Sequence, residues 1–227
     1  TAIDDAVSAI MVAKNPILYV GGGVINSGDN ATKLLRELAA ETNFPVTSTL
    51  MGLGCYPASG ESWLGMLGMH GTYEANMTMH DCDLMVCIGA RFDDRITGRI
   101  DAFSPGSIKV HIDIDPSSIN KNVSVDIPIV GDITDVLSKI LKKWRSKGAK
   151  TNTAEVKKWW KVIRGWREVK CLNYKNSKNI IKPQYALQRL EELTKNKDRY
   201  ITTEVGQHQM WAAQYLDFQE PKRWMTS

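Results

Sequence analysis

Leu84-Met-Val-Cys-Ile-Gly-Ala90 runs directly into Arg91-Phe-Asp-Asp-Arg-Ile-Thr-Gly98, an apolar strand pattern followed by a loop with five ionisable or hydroxyl side chains in eight residues. Open α/β sheets bind ligands at the carboxyl ends of their strands, where such a loop would sit. Two arginines and two adjacent aspartates must pair among themselves or grip something that carries both phosphates and hydroxyls. A dinucleotide offers both. A solvated loop of surface ion pairs is the alternative.

Outward from this stretch, strand-like runs recur at Ile17–Val20, Pro45–Thr49, Lys109–Ile114 and Ile127–Val130. Helix patterns lie between most of them. Residues 28–43 bring Leu34, Leu35, Leu38 and Ala39 to one face, and residues 132–144 do the same with Val136, Leu137, Ile140, Leu141 and Trp144. Alternating β and α elements predict an α/β fold with a doubly wound parallel sheet over residues 1–147, its short apolar strands covered by helices on both faces. Residues 148–182 read as a helical connector. There Val156, Trp159, Trp160, Ile163, Trp166 and Val169 form one stripe of a basic helix, with the tryptophans as packing anchors. Pro183 opens another helix with Ala186, Leu187, Leu190 and Leu193 on its apolar side. Tyr200–Val205 and the following Gly206-Gln-His-Gln-Met-Trp-Ala-Ala-Gln214 restart a strand-to-helix unit. The chain ends at Ser227 before that unit can build a sheet, so residues 183–227 are expected to be the truncated start of a second α/β domain.

Composition narrows the class. With 43% apolar and 24% charged residues among 227, the chain can bury a core as a soluble globular protein. No apolar run approaches the ~20 residues of a membrane span, and Thr1-Ala-Ile-Asp-Asp has no signal-peptide pattern. A start without Met points to a cut chain. Cys55, Cys82, Cys87 and Cys171 lack zinc or C-x-x-C spacing and read as free thiols in a reducing cytoplasm. The net charge of +4 conceals a segregation: residues 139–199 hold 19 Lys/Arg against 5 Asp/Glu, whereas residues 1–138 hold 8 against 17. The basic charges follow amphipathic helix patterns without the exposed aromatics of an RNA-binding surface, so a solvated helical face explains them better than nucleic acid.

Several strand ends carry ligand-like chemistry. Gly21-Gly22-Gly23 permits a tight turn or a close approach to a ligand, although Asn26 breaks the G-x-G-x-x-G pattern. Thr49-Leu-Met-Gly-Leu-Gly54 leaves the second strand. Asp113 or Asp115 could accept from ribose hydroxyls or an adenine amine, or could cap the turn begun by Pro116. Asp132 suits a helix N-cap. His70, between glycines in Gly68-Met-His-Gly71, suits binding or structure equally. His80 ends a helix pattern, and His111 sits inside a strand as a core or sheet-face residue. His208 opens a helix, where it could meet a phosphate or simply face solvent. No metal-ligand spacing or nucleophile constellation is present in this pattern of residues.

Taken in order, Gly21-Gly22-Gly23, Thr49–Gly54, Leu67-Gly-Met-His-Gly-Thr72, Arg91-Phe-Asp-Asp-Arg95, His111-Ile-Asp-Ile-Asp-Pro116 and Val205-Gly-Gln-His-Gln-Met210 resemble the large catalytic subunit of acetolactate synthase (acetohydroxyacid synthase), in its bacterial form. The resemblance covers essentially all 227 residues. It implies a Rossmann-like central FAD-binding domain, followed by the start of a domain that binds thiamine diphosphate and Mg²⁺ at a subunit interface. Carried over, it places Gly21, Gly22, Thr49, Leu50, Met51, Gly68, His70, Gly89, Arg91, Asp93, Arg95, Asp113, Ile114 and Asp132 at FAD. It places Val205, Gly206, Gln207 and His208 near thiamine diphosphate, with Gln209 and Met210 near FAD and the active site. Met69, His70, Asp94 and Arg95 fall along the substrate channel. Ser118 stands where many members carry Glu, so an adenine contact there is not carried over.

The implied chemistry condenses two pyruvates, or pyruvate and 2-oxobutyrate, with loss of carbon dioxide, giving 2-acetolactate or 2-aceto-2-hydroxybutyrate for branched-chain amino acids. FAD undergoes no net redox change. Implied partners are 2-oxoacids, a second large subunit and a small regulatory subunit, with neither nucleic acid nor membrane. The family's activating glutamate and its Gly-Asp-Gly segment for Mg²⁺ have no counterpart in these residues, so the chain alone is expected to be inactive. Glyoxylate carboligase and pyruvate oxidase are related alternatives, against which the Arg-Phe-Asp-Asp-Arg loop argues. A plain dinucleotide-binding or interaction module is the alternative outside enzymes.

Overall fold

The computed structural model of the chain describes residues 1–226. Helix α1 (Ala2–Val12) leads into strand β1 (Pro16–Val20), and the short α2 (Gly22–Asn26) and α3 (Asp29–Thr42) precede β2 (Val46–Ser48). Strand β3 (Trp63–Met66), α4 (Tyr73–Asp81), β4 (Leu84–Ile88) and the single turn α5 (Asp94–Thr97) follow. Then come β5 (Ile108–Asp113), β6 (Ile127–Val130) and α6 (Ile133–Ser146). The six strands form one sheet in the order β3-β2-β1-β4-β5-β6, every pair parallel. This is the expected doubly wound sheet, with one strand more than the sequence suggested. Trp63-Leu-Gly-Met66 carries a glycine at φ +87°, which breaks the strand pattern that reading relies on.

The central strands β1 and β4 are buried throughout, as two-sided helix cover requires. Helices α1 and α6 pack together and α3 packs on α6, placing Leu35, Leu38, Leu137, Ile140 and Leu141 in the core. Asn43, in the left-handed region at φ 55°, ends α3. Asp132 caps α6 by accepting from the Thr134 and Asp135 amides, as its sequence position suggested.

Helix α7 (Thr153–Arg167) lies against this unit. Trp159 and Trp160 are buried, and their indole N–H groups donate to the carbonyls of Pro16 at 3.0 Å and Asn43 at 2.8 Å. They are anchors, as expected. Val169 lies beyond the helix end and is exposed, so it leaves the predicted stripe.

Two further expectations are corrected in the last segment. Helix α8 (Pro183–Thr194) starts at Pro183, but Leu190 and Leu193 on its predicted apolar side are exposed and only Leu187 packs on neighbouring residues. Strand β7 (Ile201–Thr203), α9 (Gln207–Tyr215) and β8 (Trp224–Thr226) close a two-stranded parallel sheet, so this unit does build a sheet within the described residues. The strand Trp224-Met-Thr226 is too short to announce itself by alternation. Its small core of Ala212, Ala213, Leu216, Phe218 and Trp224 includes Leu53 and Met66 from the first unit. Arg36 ties the two units by donating to the carbonyls of Gly54, Cys55 and Gln219 at 2.9–3.1 Å.

Candidate functional site

In the strand order, the chain moves outward from β1 to β2 and β3, then returns to β4 on the other side of β1. The carboxyl ends of β1 and β4 therefore form the switch point where open α/β sheets leave a crevice. Gly21–Gly23 and Gly89–Asp93 meet there. A β-carbon on Gly21 would stand 2.3 Å from the Gly89 carbonyl oxygen, and one on Gly23 would stand 2.8 Å from Gly89 Cα. The close approach that these glycines permit is therefore to neighbouring backbone. Gly22 instead faces the loop after β2, with Met51 Cβ 3.1 Å from where its own β-carbon would be.

The Arg91–Arg95 segment divides by polarity. Phe92 is buried, packed on Tyr19, Phe103 and His111 with ring centroids 5.0–6.0 Å apart. This anchor leaves its charged neighbours at the surface. Arg91 is 72% exposed and meets Asp93 only at 3.8 Å, a loose pair that a stronger anion could replace. Asp94 and Arg95 are exposed as well. The Arg95 carbonyl accepts from the Met69 amide at 3.3 Å, and a β-carbon on Gly68 would stand 2.8 Å from it, so the Gly68–Gly71 loop packs beside this segment. Asn76 fixes that loop through paired bonds of 2.9 and 3.0 Å to the Gly68 amide and carbonyl. Gln214 on α9 donates to the His70 carbonyl at 2.9 Å. Met69 and His70 thus sit between the Arg91–Arg95 segment and the second unit.

After β5, Asp113 Oδ1 accepts from the Asp115 amide at 2.9 Å, and Asp115 in turn caps the Pro116 turn. Ser117 donors hold the Asp115 carboxyl below the usual range, which makes it a structural acid. Ile114 between them is exposed. His111 is fully buried, with Nε2 2.9 Å from the Ala90 carbonyl oxygen and 3.8 Å from Asp113 Oδ2. Burial pushes its imidazole below the usual value, so the ring is neutral near pH 7 and Nε2 carries the proton it donates.

Of the remaining predicted residues, Thr49 and Leu50 flank the start of the turn after β2, and Met51 within that turn is exposed. Val205, Gln207 and His208 are exposed around the start of α9, with Gly206 as its N-cap. Gln209 is buried, donating to Thr226 Oγ1 at 2.6 Å, and Met210 is half-buried. The structure thus gathers the strand-end residues on one edge of the six-stranded sheet and the Val205–Met210 set at the head of the smaller unit. Sequence reading passed over Tyr19, Asn76, Asn122 and Gln214. For Tyr19 the available signal was a hydroxyl inside the otherwise apolar run Pro16–Val20.

This edge offers a guanidinium, carboxylates and exposed apolar groups, and no cluster of metal-ligating side chains occurs among the described residues.

Comparison with known proteins agrees with this architecture. The family model described as the thiamine pyrophosphate enzyme central domain matches residues 3–140. The chain is 47% identical over 225 residues to the acetolactate synthase isozyme 3 large subunit of Escherichia coli (strain K12), covering 99% of this chain and 39% of that protein. It is 46% identical to an acetolactate synthase large subunit of Haemophilus influenzae, with the same coverage of each. It is 41% identical to an acetolactate synthase of Mycobacterium bovis, covering 99% of this chain and 36% of that protein. The chain spans about two-fifths of the length of these relatives. With an all-parallel six-stranded sheet over the matched residues, the chain belongs to the thiamine pyrophosphate enzymes and contains their central domain.

Proposed function

We propose that this chain is the flavin-binding central part of an acetolactate synthase large subunit, continued into the first strand–helix–strand unit of its thiamine diphosphate domain. One observation carries the reading: the exposed Arg91–Asp93 pair stands at the switch point of the sheet, on a chain 41–47% identical to acetolactate synthases. The side chains present suit FAD. Arg91 can form charge-assisted bonds to a phosphate, and Asp113 and Asp132 can accept from ribose hydroxyls or an adenine amine. Met51, Met69 and Ile114, each at least half exposed, supply apolar surface for a ring system.

In this reading Gly21, Thr49, Gly68 and Gly89 border the flavin, and Val205–Met210 border thiamine diphosphate. Thiamine diphosphate with Mg²⁺, when bound, supplies the electron sink for decarboxylating one 2-oxoacid and joining the remainder to another. Arg95 orients the 2-oxoacid carboxylate, and Asp94, Met69 and His70 line its approach. FAD organises the site without net redox change. The complete enzyme pairs two large subunits, engages a small regulatory subunit and works in the cytoplasm. No helix of the described residues is long and apolar enough to cross a membrane.

Titration of the chain with FAD, followed by flavin fluorescence with NAD and RNA as competitors, tests the proposal. Saturable binding that neither competitor displaces is expected. A folded chain that binds no FAD, or binds NAD equally well, contradicts it. Given pyruvate, both cofactors and Mg²⁺, the chain alone should form no acetolactate above a protein-free control.

A further inference from the structure

Four consecutive carbonyls of the loop after β4 are held by side chains. The Ala90 carbonyl accepts from His111 Nε2 at 2.9 Å and from Cys87 Sγ at 3.1 Å. The Arg91 carbonyl accepts from Tyr19 Oη at 3.2 Å, and the Phe92 carbonyl from Asn122 Nδ2 at 2.7 Å. The Asp93 carbonyl accepts from Thr97 Oγ1 at 3.1 Å. Tyr19, Cys87 and His111 are fully buried and stand on three different strands. The Asp93 carbonyl also accepts from the Ile96 and Thr97 amides as α5 begins, but the other three have no ladder partner and would otherwise turn to water or move.

These bonds satisfy the buried Tyr19 hydroxyl and His111 Nε2 and at the same time hold the loop, while His111 Nδ1 stays buried without a hydrogen bond. Both rings pack against Phe92, so donors and apolar anchor fix the same three residues from the same side. The outward side chains Arg91 and Asp93 then start from a fixed backbone, and a ligand that meets them need not order the loop.

We propose that Tyr19 and His111 are positioning residues of the flavin site, holding Arg91 and Asp93 in place through the Ala90 and Arg91 carbonyls without touching the ligand themselves. The inference rests on the flavin reading above. Tyr19→Phe removes one oxygen from the core, and His111→Leu removes the second ring donor. His111→Gln keeps an N–H that can reach the same carbonyl.

FAD affinity, the visible circular dichroism of bound flavin and thermal stability are measured for each variant of the full chain. Tyr19→Phe and His111→Leu are expected to weaken FAD about three- to tenfold and to change the flavin dichroism, with His111→Gln restoring both. Lower melting temperatures with unchanged FAD affinity and dichroism would show a purely structural role and overturn the inference. A wild-type chain without FAD binding overturns the flavin reading and this inference together, whereas wild-type binding with unaffected variants overturns this inference alone. Should His111→Leu fail to fold, Tyr19→Phe decides the question.

Discussion

Every residue of β1 and β4 is buried, whereas none of α8 is. The six-stranded unit holds a continuous core in which helices cover both faces of the sheet. The two-stranded unit completes its small core with Leu53 and Met66 from the larger one, and leaves Leu190, Leu193 and Val205 in solvent. The larger unit is therefore a framework able to fix ligand-facing groups, and the smaller one depends on it for its own order. Rigidity and local stability differ along one chain in the way that buried apolar contact differs.

This contrast can be broken most severely in the framework. Leu18→Ala, at a fully buried position between β2 and β4, should cost about 2–5 kcal/mol and lower the midpoint of denaturant unfolding for the whole chain. Gly21→Val should cost about 1–3 kcal/mol, because its β-carbon has no room against the Gly89 carbonyl, and the loss should appear in the same unfolding curve. Arg91→Ala spares the framework and removes a ligand-facing group that it carries. It should weaken FAD by about 1.5–3 kcal/mol while leaving the melting temperature nearly unchanged, since the side chain is largely exposed. Leu193→Ala on α8 should change stability by less than about 0.5 kcal/mol, and a larger loss would mean that this helix face is covered.

Thiol labelling reads the same difference in burial without mutation. Burial pushes the Cys55 thiol up to about 12 and the Cys82 thiol up to about 11, and raises Cys87 well above its ordinary value. Cys171 alone is exposed. At pH 8 the native chain should react rapidly at Cys171 only, and the three framework cysteines should label upon unfolding. Rapid labelling of Cys87 would show that β4 opens.

The fold was legible where local pattern and burial agree. The apolar runs of β1 and β4 could be read directly, because two-sided cover leaves few polar residues in them, and β5 and the helices α3 and α6 could be read from alternation and from amphipathic stripes. Strands β3 and β8 were not legible, being three or four residues long and, in β3, interrupted by Gly65. The candidate site divides similarly. Arg91 and Asp93 announce themselves as charges after a strand. Their supports do not, because Tyr19 and Asn122 meet the loop only after the chain has closed over 72 and 30 residues. The glycines after β1 read as a tight turn or a close approach to a ligand, and their contact with the Gly89 backbone depends on strand order.

Amide hydrogen exchange with and without FAD separates framework from dependent unit in one experiment. Strong protection of β1 and β4 in the free chain and faster exchange across α8 are expected. FAD should slow exchange around Gly21–Gly23, Met51 and Gly89–Arg95 and leave α8 unchanged. Protection of α8 equal to that of β4 in the free chain, or an FAD effect confined to α8, would contradict the division between framework and dependent unit.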